Sequence, residues 1–160
     1  MHSFWVPGDP IPQGSMVPFV HPRTKRAMVH ASNAALLNPW RKRVAKAASL
    51  AGIASFGAHD PIWLRLTFHL ARPQTLPKGR THWPTTFPDC DKAARAILDA
   101  LTLDLAGKGL GLYPDDAQVV GMVARKVYAG QRGPGVLIEV SDRDFDESQP
   151  AQAHLLEVTQ

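Results

Sequence analysis

The chain has 160 residues, a net charge of +4, 44% apolar residues and a single cysteine. That length suits one domain with a real core, that apolar share excludes a disordered chain, and one cysteine excludes an internal disulfide. No apolar run is long enough to cross a bilayer and "MHSFWVPGDP" has no basic-then-apolar signal pattern, so no membrane partner and a cytoplasmic location are expected.

The first predicted element is a short strand in "SFWVPGDPIPQG", followed by a loop punctuated by Pro and Gly. "MVPFVHPRTKRAMVHAS" reads as two short extended pieces around a basic turn, Arg23-Thr24-Lys25-Arg26. A helix is expected to start after Ser32 or Asn33 and to stop at Gly52, with Leu37, Trp40, Val44, Ala47, Ala48 and Ala51 as its buried stripe. Arg41, Lys42, Arg43 and Lys46 then fall on its other faces, and Pro39 would sit in the first turn or break the helix. In "DPIWLRLTFHLAR", Ile62, Leu64, Leu66 and Phe68 alternate with Trp63, Arg65, Thr67 and His69, the pattern of a half-buried strand. "PQTLPKGRTHWPTTFP" reads as a long functional loop carrying Lys78, Arg80 and Trp83.

"PDCDKAARAILDAL" opens a second helix, with Asp91 expected as its cap and Ala93, Ala94, Ile97, Leu98 and Leu101 apolar. A glycine-rich connection, "TLDLAGKGLGLYP", leads to two strands, "DDAQVVGMVARKVYAG" and "GVLIEVSD", read as a hairpin through residues 130–133. The order β–β–β–α–β–α–β–β implies an α+β (α/β-like) domain over residues 1–141, a mixed sheet with two main helices packed on it. Residues 142–160 form an acidic tail, expected to be disordered.

Charge is distributed unevenly along these elements. Residues 1–88 hold eleven of the eighteen Lys/Arg and only Asp9 and Asp60 as acids, while six of the fourteen acids fall between residues 89 and 116. A basic half beside a carboxylate-rich segment points to nucleic acid as the partner. Asp89 and Asp91, at i and i+2 in an extended approach, point to the same side, where their repulsion needs a cation to relieve it. Mg²⁺ takes one or two protein carboxylates and fills its remaining positions with water and phosphate oxygens. A third carboxylate is expected from "YPDDAQVV"; adjacent strand residues face opposite ways, and Asp116 is preferred to Asp115. Arg95 and Asp99 share the helix face of Asp91, so Arg95 would hold a phosphate or stabilise charge building on it. The structural alternative is a capping Asp91, a solvated Asp89 and a surface ladder Asp91–Arg95–Asp99. No histidines are paired with cysteine at metal-ligand spacing, and "AGKGLGLY" lacks the ending of a phosphate loop.

The combination of "PGDPIP" after a first strand, the basic helix "WRKRVAKAA", "PDCDKAARAILDAL" and "DDAQVV" resembles the RusA family of Holliday-junction resolvases over about residues 3–141. These are small endonucleases common in phages and prophages. The resemblance implies that Asp89, Asp91 and Asp116, with Asp115 beside it, bind Mg²⁺ or Mn²⁺ and are the catalytic acids. It also implies a functional cation four residues after the second aspartate, where the family's lysine is replaced by Arg95, and Lys92 stands where the family has asparagine. Arginine keeps the charge but hardly ever gives up a proton. If the position only clamps a phosphate, Arg95 serves; if it must act as an acid, either Lys92 takes over or the activity is weakened. Arg95 and Lys92 are both expected to add positive charge at the catalytic site. The expected activity is cleavage of four-way DNA junctions, in recombination, repair or phage DNA processing. Arg23, Lys25, Arg26, Arg41, Lys42, Arg43, Lys46, Lys78 and Arg80 would track the DNA backbone. A homodimer is implied by the family, with the apolar edge "QVVGMVARKV" as the expected interface. A branch or flap nuclease and a non-catalytic junction-binding protein are the competing readings.

Overall fold

The computed structural model describes residues 1–76, 83–103 and 111–145. Strands β1 (His2–Pro7), β2 (Met16–Val20) and β3 (Ala27–Ala31) precede helix α1 (Ala34–Leu50). Strand β4 (Ile62–Leu70), helix α2 (Cys90–Leu101), a 3-10 turn (Asp116–Gln118), β5 (Val119–Tyr128) and β6 (Gly135–Ser141) follow. The element order and the α+β class agree with the sequence reading.

The main sheet has the order β1-β6-β4-β5, with β4 antiparallel to β6 and parallel to β5. This corrects the hairpin expected between the last two strands: β4 lies between them, so the turn at residues 130–133 carries the chain across β4. Residues 130–133 do reverse the chain, but turn chemistry does not say whether another strand occupies the gap. β2 and β3 pair only with each other, and Met16, Val17, Val20, Met28 and Val29 of this ribbon are exposed.

One face of the sheet is mainly apolar. Ile62, Leu64, Leu66 and Phe68 of β4 are fully buried, beside Val136, Ile138 and Val140 of β6 and Val6 of β1. Leu37, Trp40, Val44 and Ala48 of α1 and Ala93, Ala94, Ile97 and Leu101 of α2 close over them in one core. Each large aliphatic side chain buried there contributes about 1.5–3 kcal/mol. The other face carries Trp63, Arg65 and Thr67, with Arg65 3.6 Å from buried Glu139 and Arg125 donating to Thr67 at 3.1 Å. Gly121 sits opposite Trp63, and a Cβ there would come within 2.1 Å of the indole ring.

α1 follows its expected bounds, with Asn33 at its N-cap and Gly52 in the left-handed region (φ 67°) just beyond it. Pro39 lies inside the helix without breaking it. The ring removes one N–H donor near the helix start, a loss that the buried stripe offsets. Arg41 departs from the expectation: it lies on the α2-facing side, partly buried. Lys78 and Arg80, most of the glycine-rich connection and the tail from residue 146 lie outside the described residues. The described end of that connection returns to α2, where Tyr113 bridges to Thr102 and is fully buried with Leu112.

Candidate active site

α2 turns its alanines, Ile97 and Leu101 into the core, which leaves Asp91, Lys92 and Arg95 exposed and Asp99 half-buried. The N-cap is Asp89, with an extended backbone, and Asp91 lies in the first turn instead of capping it. Pro88 explains the shift: its fixed φ and missing N–H suit the approach to a helix, so the chain turns helical two residues earlier than the carboxylate pattern suggested. Asp89 makes no capping hydrogen bond. Its carboxylate instead meets the Lys92 ammonium at 3.0 Å, in an exposed pair that water screens.

The approach to Asp89 is held from β5. Lys126 Nζ donates to the carbonyls of Thr86 at 2.8 Å and Pro88 at 2.9 Å. Burial pushes the neighbouring Cys90 thiol above its ordinary pKa; the Lys126 charge pulls it back and the Asp91 charge adds to the rise.

From its first turn α2 is also tied to the N-terminal loop and to α1. Gln13 N–H donates to the Lys92 carbonyl at 2.9 Å, and Gln13 Oε1 accepts from Arg41 at 2.5 Å. The same Arg41 nitrogen donates to the Asp99 carboxylate. Arg95, Arg41, Asp99, Gln13, Met16 and His30 line a cleft of about 330 Å³ between the β2–β3 ribbon and the two helices. Arg95 thus faces an open cleft on the Asp91 side of the helix, while Arg41, which lines the same cleft, is partly buried and committed to Asp99 and Gln13.

The later acids lie elsewhere. Asp115 caps the 3-10 turn, its Oδ1 accepting from Ala117 N–H at 2.8 Å, and so has a structural task. Gln118 fastens the turn by donating to the carbonyls of Gly57 at 2.7 Å and Asp60 at 3.1 Å. Asp116 is exposed, on a turn that packs against α2. Buried Tyr113 donates its hydroxyl to the Leu98 carbonyl at 3.3 Å. Its phenol is pushed far above the ordinary range, by burial first and then by the charges of Asp116 and Asp99. Asp116 follows Tyr113 by three residues, and Tyr113 is tied to Thr102 and Leu98, so the Asp116 turn packs toward the C-terminal end of α2. Asp91 and Leu98 are seven residues apart, about 10 Å along a helix rising 1.5 Å per residue.

The fold thus brings Asp89, Asp91 and Lys92 to the N-terminal end of α2, with Arg95 at mid-helix, and Asp116 toward the other end. No three His, Cys, Asp or Glu side chains among the described residues are grouped to hold a metal ion. The donor type, aspartate carboxylate, suits a hard cation that keeps several waters. Of the expected DNA-contacting cations, Arg23, Lys25 and Arg26 are exposed on the β2–β3 turn, where His21 Nδ1 accepts from the N–H groups of Arg23 and Thr24. Lys42, Arg43 and Lys46 are exposed on α1, with Arg43 also reaching the Pro7 carbonyl at 3.2 Å. Trp83 and Phe87 stand exposed in the segment leading to Asp89.

Sequence reasoning missed Gln13 and Lys126. Gln13 works through its backbone as much as its side chain and left no signal. Lys126 did leave one: Met122, Ala124 and Lys126 share the face of β5 that pairs with Leu64, Leu66 and Phe68, so a lysine sits in the apolar register.

An α+β domain with a D-x-D at a helix mouth, a guanidinium one turn on and cations on an adjoining ribbon and helix has the form of a protein that acts on a phosphodiester backbone. The family described as Endodeoxyribonuclease RusA matches residues 7–141, and the chain belongs to that family. Membership implies endonuclease activity of the Holliday-junction resolvase type on branched DNA. No curated protein matches the chain.

Proposed function

We propose that this protein is a metal-dependent endodeoxyribonuclease that resolves four-way DNA junctions as a homodimer, in recombination and repair or in phage DNA processing. The observation that carries the reading is the pair Asp89 and Asp91, both exposed at the mouth of α2 with Arg95 on the same side facing a cleft.

Each residue has a role in this reading. Asp89, Asp91 and Asp116 would hold Mg²⁺, or Mn²⁺ in its place. When bound, such an ion polarises a phosphoryl oxygen and lowers the pKa of a water. Arg95 clamps the phosphate by two parallel N–H donors. Lys92 holds the Asp89 carboxylate at 3.0 Å, and offers positive charge to the phosphate once Asp89 is otherwise engaged. Asp115 supports Asp116 by fixing its turn. Arg23, Lys25, Arg26, Lys42, Arg43 and Lys46, with Lys78 and Arg80, track the backbone and carry most of the affinity. Trp83 stacks on an exposed base.

A junction presents two equivalent strands, and a two-fold dimer supplies two matching sites. Strand β5 is a sheet edge with Val120, Met122 and Val123 exposed, which supports it as the interface. The separation of Asp116 from the D-x-D supports the same conclusion. A two-fold axis that carries the Asp116 end of one chain to the D-x-D end of the other completes two acid sets at once.

Asp91→Asn tests the reading. Cleavage of a labelled four-way junction with Mg²⁺ should fall by at least about a thousandfold, since an essential charge is lost. Junction binding in EDTA should persist or tighten. Unimpaired cleavage would reject the assignment, and a change in stability alone would favour a non-catalytic binder. A panel of junction, flap, fork and duplex DNAs separates a resolvase from a flap nuclease.

A further inference from the structure

We infer that Lys126 is a positioning residue for the D-x-D pair, fastening from β5 the chain reversal that presents Asp89 and Asp91. The inference rests on the proposed endonuclease reading and assigns a role to a residue outside the motif.

The geometry is specific. Lys126 pairs across the parallel ladder with Phe68, a fully buried core residue, so its side chain leaves the sheet on the helix-covered face. A lysine in that register is costly unless its ammonium finds partners. It finds the carbonyls of Thr86 and Pro88, at 2.8 and 2.9 Å. The Pro88 carbonyl belongs to the peptide unit that enters Asp89, so the bond fixes the plane from which the first carboxylate projects. Pro88 fixes φ on the other side of the same carbonyl. Charge-assisted bonds of this kind are roughly twice as strong as neutral ones, and a half-buried lysine is screened less than a surface one.

Lys126 touches neither aspartate by hydrogen bond. Its action is through the backbone of Thr86 and Pro88, which separates its role from those of Lys92 and Arg95.

The test compares wild type with Lys126→Met, which keeps the apolar stem and loses the charge, and Lys126→Arg, which can still serve two carbonyls. Three readouts are needed: single-turnover junction cleavage at saturating protein, junction binding in EDTA, and hydrogen–deuterium exchange over residues 83–95 without DNA. In Lys126→Met, cleavage should fall roughly ten- to a hundredfold, as misplacement of a reacting group does. Binding in EDTA should hold, and exchange should accelerate at the start of α2 while α1 keeps its protection. Lys126→Arg should recover most of the cleavage and of the protection. Wild-type cleavage and exchange in Lys126→Met would overturn the inference, as would faster exchange spread evenly over α1 and α2, which marks a purely structural lysine. If wild type cleaves no branched DNA, the endonuclease reading fails by itself, and the exchange pattern still decides whether Lys126 holds the D-x-D.

Discussion

Arg41 of α1 reaches across to the Asp99 carboxylate of α2, and the same guanidinium nitrogen is shared with Gln13. Gln13 in turn bonds the Lys92 carbonyl through its backbone N–H, so the N-terminal loop and both helices are tied around one cleft. Both ionic side chains are about a quarter to a third exposed, at 26% and 33%, so solvent weakens the pair without erasing it. Arg41→Ala should cost about 1–2 kcal/mol, the range of a hydrogen bond to a charged group after partial screening. In a chain of 160 residues that is a fall of roughly 2–8 °C in Tm. A double-mutant cycle with Asp99→Asn should return a coupling of about 1 kcal/mol. Additive losses would show that the two residues act separately. Junction affinity should change less than it does for an exposed cation, because Arg41 is already committed inside the fold.

The separation of Asp116 from Asp89 and Asp91 makes a prediction about pairs of chains. Asp91→Asn and Asp116→Asn should each be inactive alone. If the acid set is completed between two chains, mixing them restores one intact set in each heterodimer. Half of the dimers in an equal mixture are heterodimers, so nicking should return to about a quarter of the wild-type rate, without paired cuts. The check is a denaturing gel of a junction labelled on two strands. A mixture as inactive as its parts would place all three acids within one chain's own site.

Much of this arrangement could be read in the sequence because it is local. The alternation of Ile62, Leu64, Leu66 and Phe68 fixed β4 and its buried face, and the stripe Leu37, Trp40, Val44, Ala48 fixed α1. The D-x-D at the mouth of α2 was legible for the same reason, since two residues apart is a matter of local geometry. What failed depended on tertiary placement. Asp116 is only 25 positions from Asp91, but α2 runs away from its own N-terminus before the chain returns, so closeness in sequence says little about the distance between the two acids. Arg41 looked like its exposed neighbours Lys42 and Arg43 because a helical wheel does not reveal where a second helix will dock. The strand inserted between β5 and β6 was hidden in the same way.

The basic turn of the β2–β3 ribbon predicts how affinity depends on salt. Arg23, Lys25 and Arg26 are exposed at the tip, and each contact with a phosphate releases counterions. Replacing all three by Ala should reduce the slope of log K against log salt by up to about 2.7, at roughly 0.9 per phosphate. The effect should be similar for junction and duplex DNA, since backbone contacts carry little sequence or shape information. Lys42→Ala and Lys46→Ala on α1 should each remove about 0.9 from the slope. Fluorescence anisotropy in EDTA across a salt series measures it, and an unchanged slope in the triple variant would exclude the ribbon tip from the DNA interface.

Glu139 supplies a prediction on pH. It is buried on the sheet face away from the helices, 3.6 Å from Arg65, and one of its oxygens has no hydrogen-bond partner in the described structure. Burial raises its pKa, and the opposing pull of Arg65 and Arg125 does not cancel the rise. The folded chain therefore keeps a proton that the unfolded chain gives up at the ordinary glutamate pKa. Stability from this group is present below that ordinary value, falls as pH rises toward the raised folded value, and is level above it. Glu139→Gln removes the titration, so the stability of wild type minus that of the variant should decrease from acid toward neutral pH. Urea midpoints for both proteins at pH 4, 5, 6 and 7 measure the difference. A difference that grows with pH would mean that the Arg65 and Arg125 charges outweigh burial, so that Glu139 is held ionised in the folded chain.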